Sequence, residues 1–288
     1  MDLDGCGKMP EGKCKLCGRV GELQESHLLP AAVYKMCRPE SGEITDPISI
    51  RNDPKIKSFR VFQTSRQITG HVLCFSCEQV LNANGEDWVL PQLSTLQGFP
   101  LYEQLTTIKP DLVDGDMAVY ASAKVPTIRP DRLVHFAMGI FWKAGVHDWQ
   151  TGNGTLRLEF GPYADEIRSF LLAESRFPEH AYLMINVVPP SFPTISAYLP
   201  YRTKVVEFAF HSFYVPGVEF MLTLGKSTPD YLRAMCVASS PARLILLGPS
   251  TAQFIGKQFA EAFERGRISP KLADRLQRIR TKPPQTLR

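Results

Sequence analysis

Apolar residues recur at helical spacing in several stretches and give way to short β-branched and aromatic runs in others. From Asp131 to Trp149, Leu133, Phe136, Ile140, Phe141 and Ala144 keep a helical period, which predicts a largely buried helix rather than a site. After the Asn153-Gly154 turn signal, Tyr163, Ile167, Phe170 and Leu171 predict a second, amphipathic helix. From Ala181 the pattern turns to strands at Tyr182–Val188, Thr194–Leu199, Lys204–Val215, Val218–Leu224 and Arg243–Leu247, with Tyr214–Val218 as a hairpin connection. A cap at Thr251 precedes a stripe of Phe254, Ile255, Phe259 and Phe263 that ends near Gly266. Ser269-Pro270 then opens a last helix with Leu272, Leu276 and Ile279 apolar and Lys271, Arg275 and Arg278 basic.

The first hundred residues are turn-rich. A helix is expected from Cys77 through Leu90, interrupted by Gly85. The stretch 28–70 reads as an insertion, with Pro30–Cys37 helical and Ser41–Pro54 a loop. Between Pro100 and Pro130 the chain becomes a connector, so the expected organisation is α+β: an N-terminal module over 1–100 and a larger mixed helix and antiparallel β domain over 101–288.

Composition adds bounds. At 288 residues, 44% hydrophobic and 22% charged, the chain can bury a sizeable core, and its 23 prolines point to turns rather than to wholesale disorder. No apolar run reaches the ~18 residues of a membrane span, and the opening Met-Asp-Leu-Asp lacks a signal-peptide pattern; a cytoplasmic protein without a membrane partner is expected. The net charge of +4 is uneven: from Lys257 onward nine basic residues face three acidic ones, which leaves the rest near −2. Such a tail suits phosphate-backbone contacts or simply a solvated helix face.

The cysteines carry the strongest chemical signal. Four of the seven form two pairs, Cys14-Lys15-Leu16-Cys17 and Cys74-Phe75-Ser76-Cys77. Two intervening residues let a tight knuckle aim both sulfurs at one point, so two such pairs predict a tetrahedral zinc ion, as a fold staple or as part of a working site. A redox CxxC would accompany a βαβ pattern, which neither pair has. The 56 residues between Cys17 and Cys74 must loop out and return. Cys6, Cys37 and Cys236 are isolated and are expected to be buried structural thiols, with Cys6 a substitute ligand. No nucleophile elbow, P-loop or dinucleotide glycine pattern is present, and Glu207, Glu219 and Asp230 are scattered.

Between the pairs lies Glu25-Ser26-His27-Leu28-Leu29-Pro30. CxxC, then His followed by two aliphatic residues and Pro, then CxxC opening a helix, resembles the HNH (His-Me finger) endonucleases built on a zinc treble clef. The resemblance covers residues 14 to 88 at most. It implies that His27 is the general base that activates water against a DNA phosphodiester, that Ser26 occupies the place of an acidic metal ligand, and that Glu78 occupies the place of the helix ligand for a divalent ion. Ser26 and the lack of an asparagine shortly before Cys74, where Arg66, Gln67 and His71 stand, depart from that pattern. Glu25 is the carboxylate that could stand in, and Glu78 suits Mg²⁺ or Mn²⁺ as an oxygen donor.

The chain also resembles a group of bacterial proteins with a CxxCG start, an SHxxP element and a CxxCE…Asn…GlyGlu stretch. That likeness accommodates Ser26, Glu78, Asn82 and Glu86 but implies no activity. Asn82 and Glu86 could add ligands, since Asn82 lies one helical turn past Glu78; capping and solvation are their other roles. His27 could instead donate to a backbone carbonyl or shield the metal. His135 and His147 fall on different faces of their helix and are expected to be core or boundary residues. The expectation is an HNH-like nuclease acting on DNA in bacterial defence, with zinc and Mg²⁺ or Mn²⁺. The alternative is an inactive zinc module that binds nucleic acid or a protein partner.

Overall fold

The computed structural model describes residues 9–38, 46–53, 58–152, 154–190, 196–205 and 208–281. The N-terminal strands β1 (Glu11–Lys13) and β2 (Val20–His27) pair antiparallel across the first cysteine knuckle. Helix α1 (Ala31–Met36) follows, then the hairpin β3 (Ile48–Asp53) and β4 (Ser58–Gln63). Strand β5 (Thr69–Cys74) returns beside β2 and feeds directly into α2 (Phe75–Leu81). A π-helical turn, Asn82–Glu86, and the short α3 (Asp87–Val89) continue the same rod, and α4 (Pro100–Thr106) closes the region.

Two expectations change here. Ser41–Pro54 is not all loop, because its second half is β3; residues 39–45 lie outside the described residues. Ile48 and Ile50 alternate, but the surrounding Ser, Gly, Pro, Asn and Asp read as turns, and the strand exists through its pairing with β4, whose Val61 is buried. Gly85 does not interrupt its helix. It sits inside the π turn where α5 crosses, and a Cβ there would stand 2.8 Å from the Phe136 Cα and 2.9 Å from its amide nitrogen. Gly85→Ala must therefore push two backbones apart. The expected cost is about 1–3 kcal/mol, read as a lowered urea midpoint with an unchanged slope.

After β6 (Leu112–Asp114) and β7 (Met117–Ala121) comes α5 (Pro130–Val146), buried almost all round as its period predicts. The small hairpin of β8 (Trp149–Thr151) and β9 (Gly154–Leu156) and helix α6 (Tyr163–Leu171) follow. The remaining strands are β10 (Ala181–Val187), β11 (Tyr198–Val205), β12 (Phe208–Val215), β13 (Val218–Leu224) and β14 (Arg243–Leu247), with α7 (Asp230–Ala234) before β14. Together with β6 and β7 they form a seven-stranded sheet in the order β11-β12-β13-β10-β14-β7-β6, antiparallel except for the parallel β10–β14 pair. Lys204–Val215 is not one strand: Val205 pairs with Phe208, so β11 and β12 run antiparallel, and no Gly, Pro, Asn or Asp in the sequence marks the reversal. Of the expected strand Thr194–Leu199 only the end is structured as β11, and 194–195 lie outside the described residues.

The chain finishes with α8 (Pro249–Glu264), β15 (Arg267–Ile268) and α9 (Pro270–Thr281). Thr251 is not the cap of α8, which begins at Pro249; the free Thr251 amide donates to Asp116 Oδ2 at 2.7 Å instead. β15 adds to β4 in parallel and makes a three-stranded sheet β15-β4-β3.

Helix α5 is the hub. Phe136 and Phe141 meet Phe213 and Phe220 of the large sheet, with ring centroids 4.9 to 6.3 Å apart. Its other side carries the α2 rod, Gly139 lying against Leu81. One hydrophobic cluster consequently runs from Cys14, Leu16 and Leu23 through Leu101 and Leu133 to Phe220 and Leu244. Among the described residues no helix is long and apolar enough to cross a membrane.

Candidate metal centre and catalytic site

The first knuckle is built by backbone bonds: the Cys14 amide donates to Arg19 O and the Gly18 amide to Cys14 O, both at 2.9 Å, while the Lys15 amide donates to Val72 O of β5. Gly18 takes φ +77°, which closes the turn without a Cβ penalty. Arg168 of α6 holds the knuckle from outside, its Nε donating to Leu16 O at 2.6 Å. The second pair straddles a strand-to-helix junction, with Cys74 ending β5 and Cys77 in the first turn of α2.

All four sulfurs lie within 4.8 Å of one another, with Cys17 and Cys74 3.8 Å apart. A disulfide would need about 2.05 Å, whereas four sulfurs about 2.3 Å from a central ion sit roughly 3.8 Å apart. This donor set fits a metal ion. Burial opposes the Cys17 thiolate, but hydrogen bonds from the Arg19 side chain and backbone, and from Cys14 and Cys77, bring its pKa down to about 6. Arg19 Nε stands 3.5 Å from that sulfur. Burial pushes the Cys74 and Cys77 thiols up. Cys236 is buried and accepts the Leu183 amide, Cys37 is half-buried, and Cys6 lies outside the described residues.

Strand β2 carries the His27 segment beside β5. A bulge at Gln24/Glu25 sets which side chains turn inward. Ser26 is 1% exposed and its hydroxyl accepts the Leu73 amide at 3.3 Å, so this side chain braces the sheet. Glu25 lies on the exposed face, accepts the Thr69 hydroxyl at 3.1 Å and stands opposite His71. His27 ends the strand opposite Thr69, half-buried, and its carbonyl accepts Lys143 Nζ at 2.7 Å.

Glu78 follows Cys77 on α2. Its Oε1 is buried and has no hydrogen-bond partner among the described residues. Asn82 opens the π turn, half-buried, and Glu86 closes it with its Oε1 3.8 Å from Lys143 Nζ. Burial raises the Glu86 pKa; Lys143 and His27 pull it down, and Glu78 pushes it up. Glu86 thus senses both Glu78 and His27, and the three groups share one neighbourhood at the junction of β2, the α2 rod and α5. Their donors do not converge as the sulfurs do: among the described residues the four cysteines are the one group close enough to hold an ion by itself.

Lys143 escaped the sequence reading. It lies inside the apolar run Phe141-Trp142-Lys143-Ala144, is 2% exposed, and its carbonyl accepts the Trp149 indole N–H at 2.7 Å. The available signal was a lone lysine within the apolar run of a helix predicted to be largely buried. His135 packs against Phe170 and meets Leu171 O at 3.4 Å, whereas His147 sits against Trp149 and Gly70, so the two rings face different neighbours.

No protein-family model, curated protein or solved structure matches the chain.

Proposed function

We propose that the chain is a metal-dependent nuclease of the His-Me finger kind, stapled by zinc at Cys14, Cys17, Cys74 and Cys77. A soft all-thiolate set at tetrahedral spacing suits zinc, and the order of knuckle, strand ending in His27, returning strand and helix opening at the last cysteine suits a treble clef. The observation that carries the catalytic part is the orphaned Glu78 oxygen on the helix behind His27, since a buried acceptor without a donor is costly unless a ligand supplies one.

Glu78 and Glu86 would hold Mg²⁺ or Mn²⁺, ions that need only one or two carboxylates beside water and substrate oxygens. Such an ion, when bound, offsets charge building on a phosphate. His27 takes the proton from the attacking water, as a neutral imidazole can near neutral pH. Lys143 is a positioning residue: its ammonium fixes the backbone at His27 and balances Glu86. The remainder over 101–288 selects the substrate, with DNA favoured. A bacterial cytoplasm and a role in defence against foreign DNA come with the family resemblance alone.

The test is plasmid cleavage with Mg²⁺ or Mn²⁺. His27→Ala is expected to lose about 10²-fold or more in rate, and Glu78→Ala to lose the divalent-ion dependence; equal cleavage by wild type and His27→Ala removes the base.

A second reading rests on Ser26, which turns inward at the position where the family carries a metal-binding carboxylate. In it the module keeps zinc and binds nucleic acid or a protein partner without hydrolysis. DNA retained but never cut by freshly metallated wild type is the outcome that favours it.

A further inference from the structure

We infer that the π turn Asn82–Glu86 brings the Glu86 carboxylate onto the Glu78 face of the α2 rod, with Arg132 of α5 as the positioning residue that holds the turn. The ion that those two carboxylates take rests on the nuclease reading.

Helical arithmetic supplies the first reason. An α-helix turns about 100° per residue, so Glu86, eight positions after Glu78, would stand about 80° away from it around a regular rod. A π turn takes one extra residue into a single turn and leaves the chain beyond it where seven steps would have put it. Seven steps amount to about 700°, which brings the two carboxylates to within about 20° of one face. The Asp87 amide marks the extra residue: it donates to Asn82 O, five positions back, where an α-helix would use Ala83 O. The two acids sense one another accordingly. Burial is the main reason the Glu86 pKa is raised, and the charge of Glu78 adds to it.

The second reason is where the displaced carbonyl goes. Ala83 O accepts Arg132 Nη1 at 2.7 Å, and the same nitrogen donates to Asn84 Oδ1 at 2.9 Å. One guanidinium group thus ties both the backbone and a side chain of the turn, while its Nε stays 3.5 Å from Asp131. Ala83 is exposed, so water can solvate its carbonyl, but water cannot fix it to a point on α5. That tether is what Arg132 supplies.

The third reason is that Arg132 belongs to a stripe. Arg132, Phe136, Gly139 and Lys143 recur at intervals of four, three and four on α5 and so share one face. Each of the other three also meets the rod. Phe136 lies against Gly85, where a Cβ would stand 2.8 Å from the Phe136 Cα; Gly139 lies against Leu81; Lys143 Nζ is 3.8 Å from Glu86 Oε1. Straightening 82–86 into an α-helix would carry Gly85 and Glu86 about 100° around the rod, away from Phe136 and Lys143.

The test uses the zinc-loaded full chain without nucleic acid and reads Mn²⁺ affinity from the electron paramagnetic resonance of free Mn²⁺. Arg132→Met is expected to weaken Mn²⁺ about tenfold, as removal of a residue that orients a metal ligand does, and Arg132→Lys to lose less. Deleting Ala83 shortens the Glu78–Glu86 spacing to seven positions, so a regular α-helix then carries both carboxylates on one face. The deletion is expected to keep most of the Mn²⁺ affinity and to make Arg132→Met silent. Amide exchange needs no ion: the Asp87 amide is expected to exchange about tenfold faster in Arg132→Met, and not when Ala83 is also absent. Arg132→Met with wild-type Mn²⁺ affinity, or with equal losses in the presence and absence of Ala83, overturns the positioning role and leaves the ion site standing. A deletion variant that does not fold, or that folds and binds no Mn²⁺, overturns it too, because seven positions should fit the same stripe. A wild type that binds no Mn²⁺ but whose Asp87 amide depends on Arg132 keeps the role of the turn and sinks the ion site.

Discussion

Replacing Cys77 by serine, or stripping the ion proposed for the four sulfurs with a chelator, is expected to melt β1, β2, β5 and α2 together. Cys14 and Cys77 are buried, and the four sulfurs tie the knuckle to the end of β5 and the first turn of α2, beside the backbone bond from the Lys15 amide to Val72 O. Without an ion, burial holds the Cys74 and Cys77 thiols protonated and crowds four thiols into a space sized for a tetrahedron. Structural zinc sites contribute on the order of 10 kcal/mol to the folds they staple, of which the hydrophobic cluster shared with α5 retains part. A loss of about 5 kcal/mol, roughly 10–20 °C in Tm, is the expected result in calorimetry. Hydrogen exchange should show it first at the Leu73 amide, which Ser26 protects. A melting temperature that moves by less than about 2 °C after verified metal removal would refute the staple.

Lys143→Met should cost nearly as much. Its ammonium donates to His27 O and faces Glu86, and it is buried from solvent. Removing one partner of a buried pair leaves the other charge uncompensated, which typically costs about 3–5 kcal/mol. Glu86→Gln added to Lys143→Met should recover a substantial part, because the stranded carboxylate is then gone; simple additivity of the two changes would deny the coupling. The pH dependence has a definite sign. Burial raises the Glu86 pKa in the folded chain, so its contribution to stability is present below the unfolded value, about 4.3, and is lost as pH rises through the folded value. With Lys143 gone that loss should be larger and reach to higher pH. Urea titrations of the variant at acid and neutral pH read it directly.

What the sequence made legible follows from how local the physics is. The period of α5 and α6, the apolar runs of β10, β13 and β14, and the paired spacing of the cysteines are each written within a few adjacent residues, and each appears where expected. The elements that escaped depend on distant partners. β3 and β4 are short and polar-flanked, and part of what completes them is β15, some two hundred positions later. Lys143 looks like an intruder in an apolar helix until His27, 116 positions earlier, supplies its acceptor. Gly85 looks like a helix breaker because the backbone it must clear belongs to Phe136. Spacing could bring His27 and Glu78 to attention, but only the fold shows that a Glu78 oxygen is buried without a donor among the described residues.

The pairing of β15 with β4, reinforced by the Ser58 hydroxyl on Arg265 O, has a consequence for how the chain assembles. During synthesis, the rim of β4 must wait for roughly two hundred further residues to leave the ribosome before its neighbour exists. Closing so long a loop is slow, and an unpaired rim invites foreign strands in the interval. Loss of β15 and α9 would therefore do more than shorten the protein: it would leave the early half sticky, and aggregation during expression should be the first symptom of trimming at Glu264.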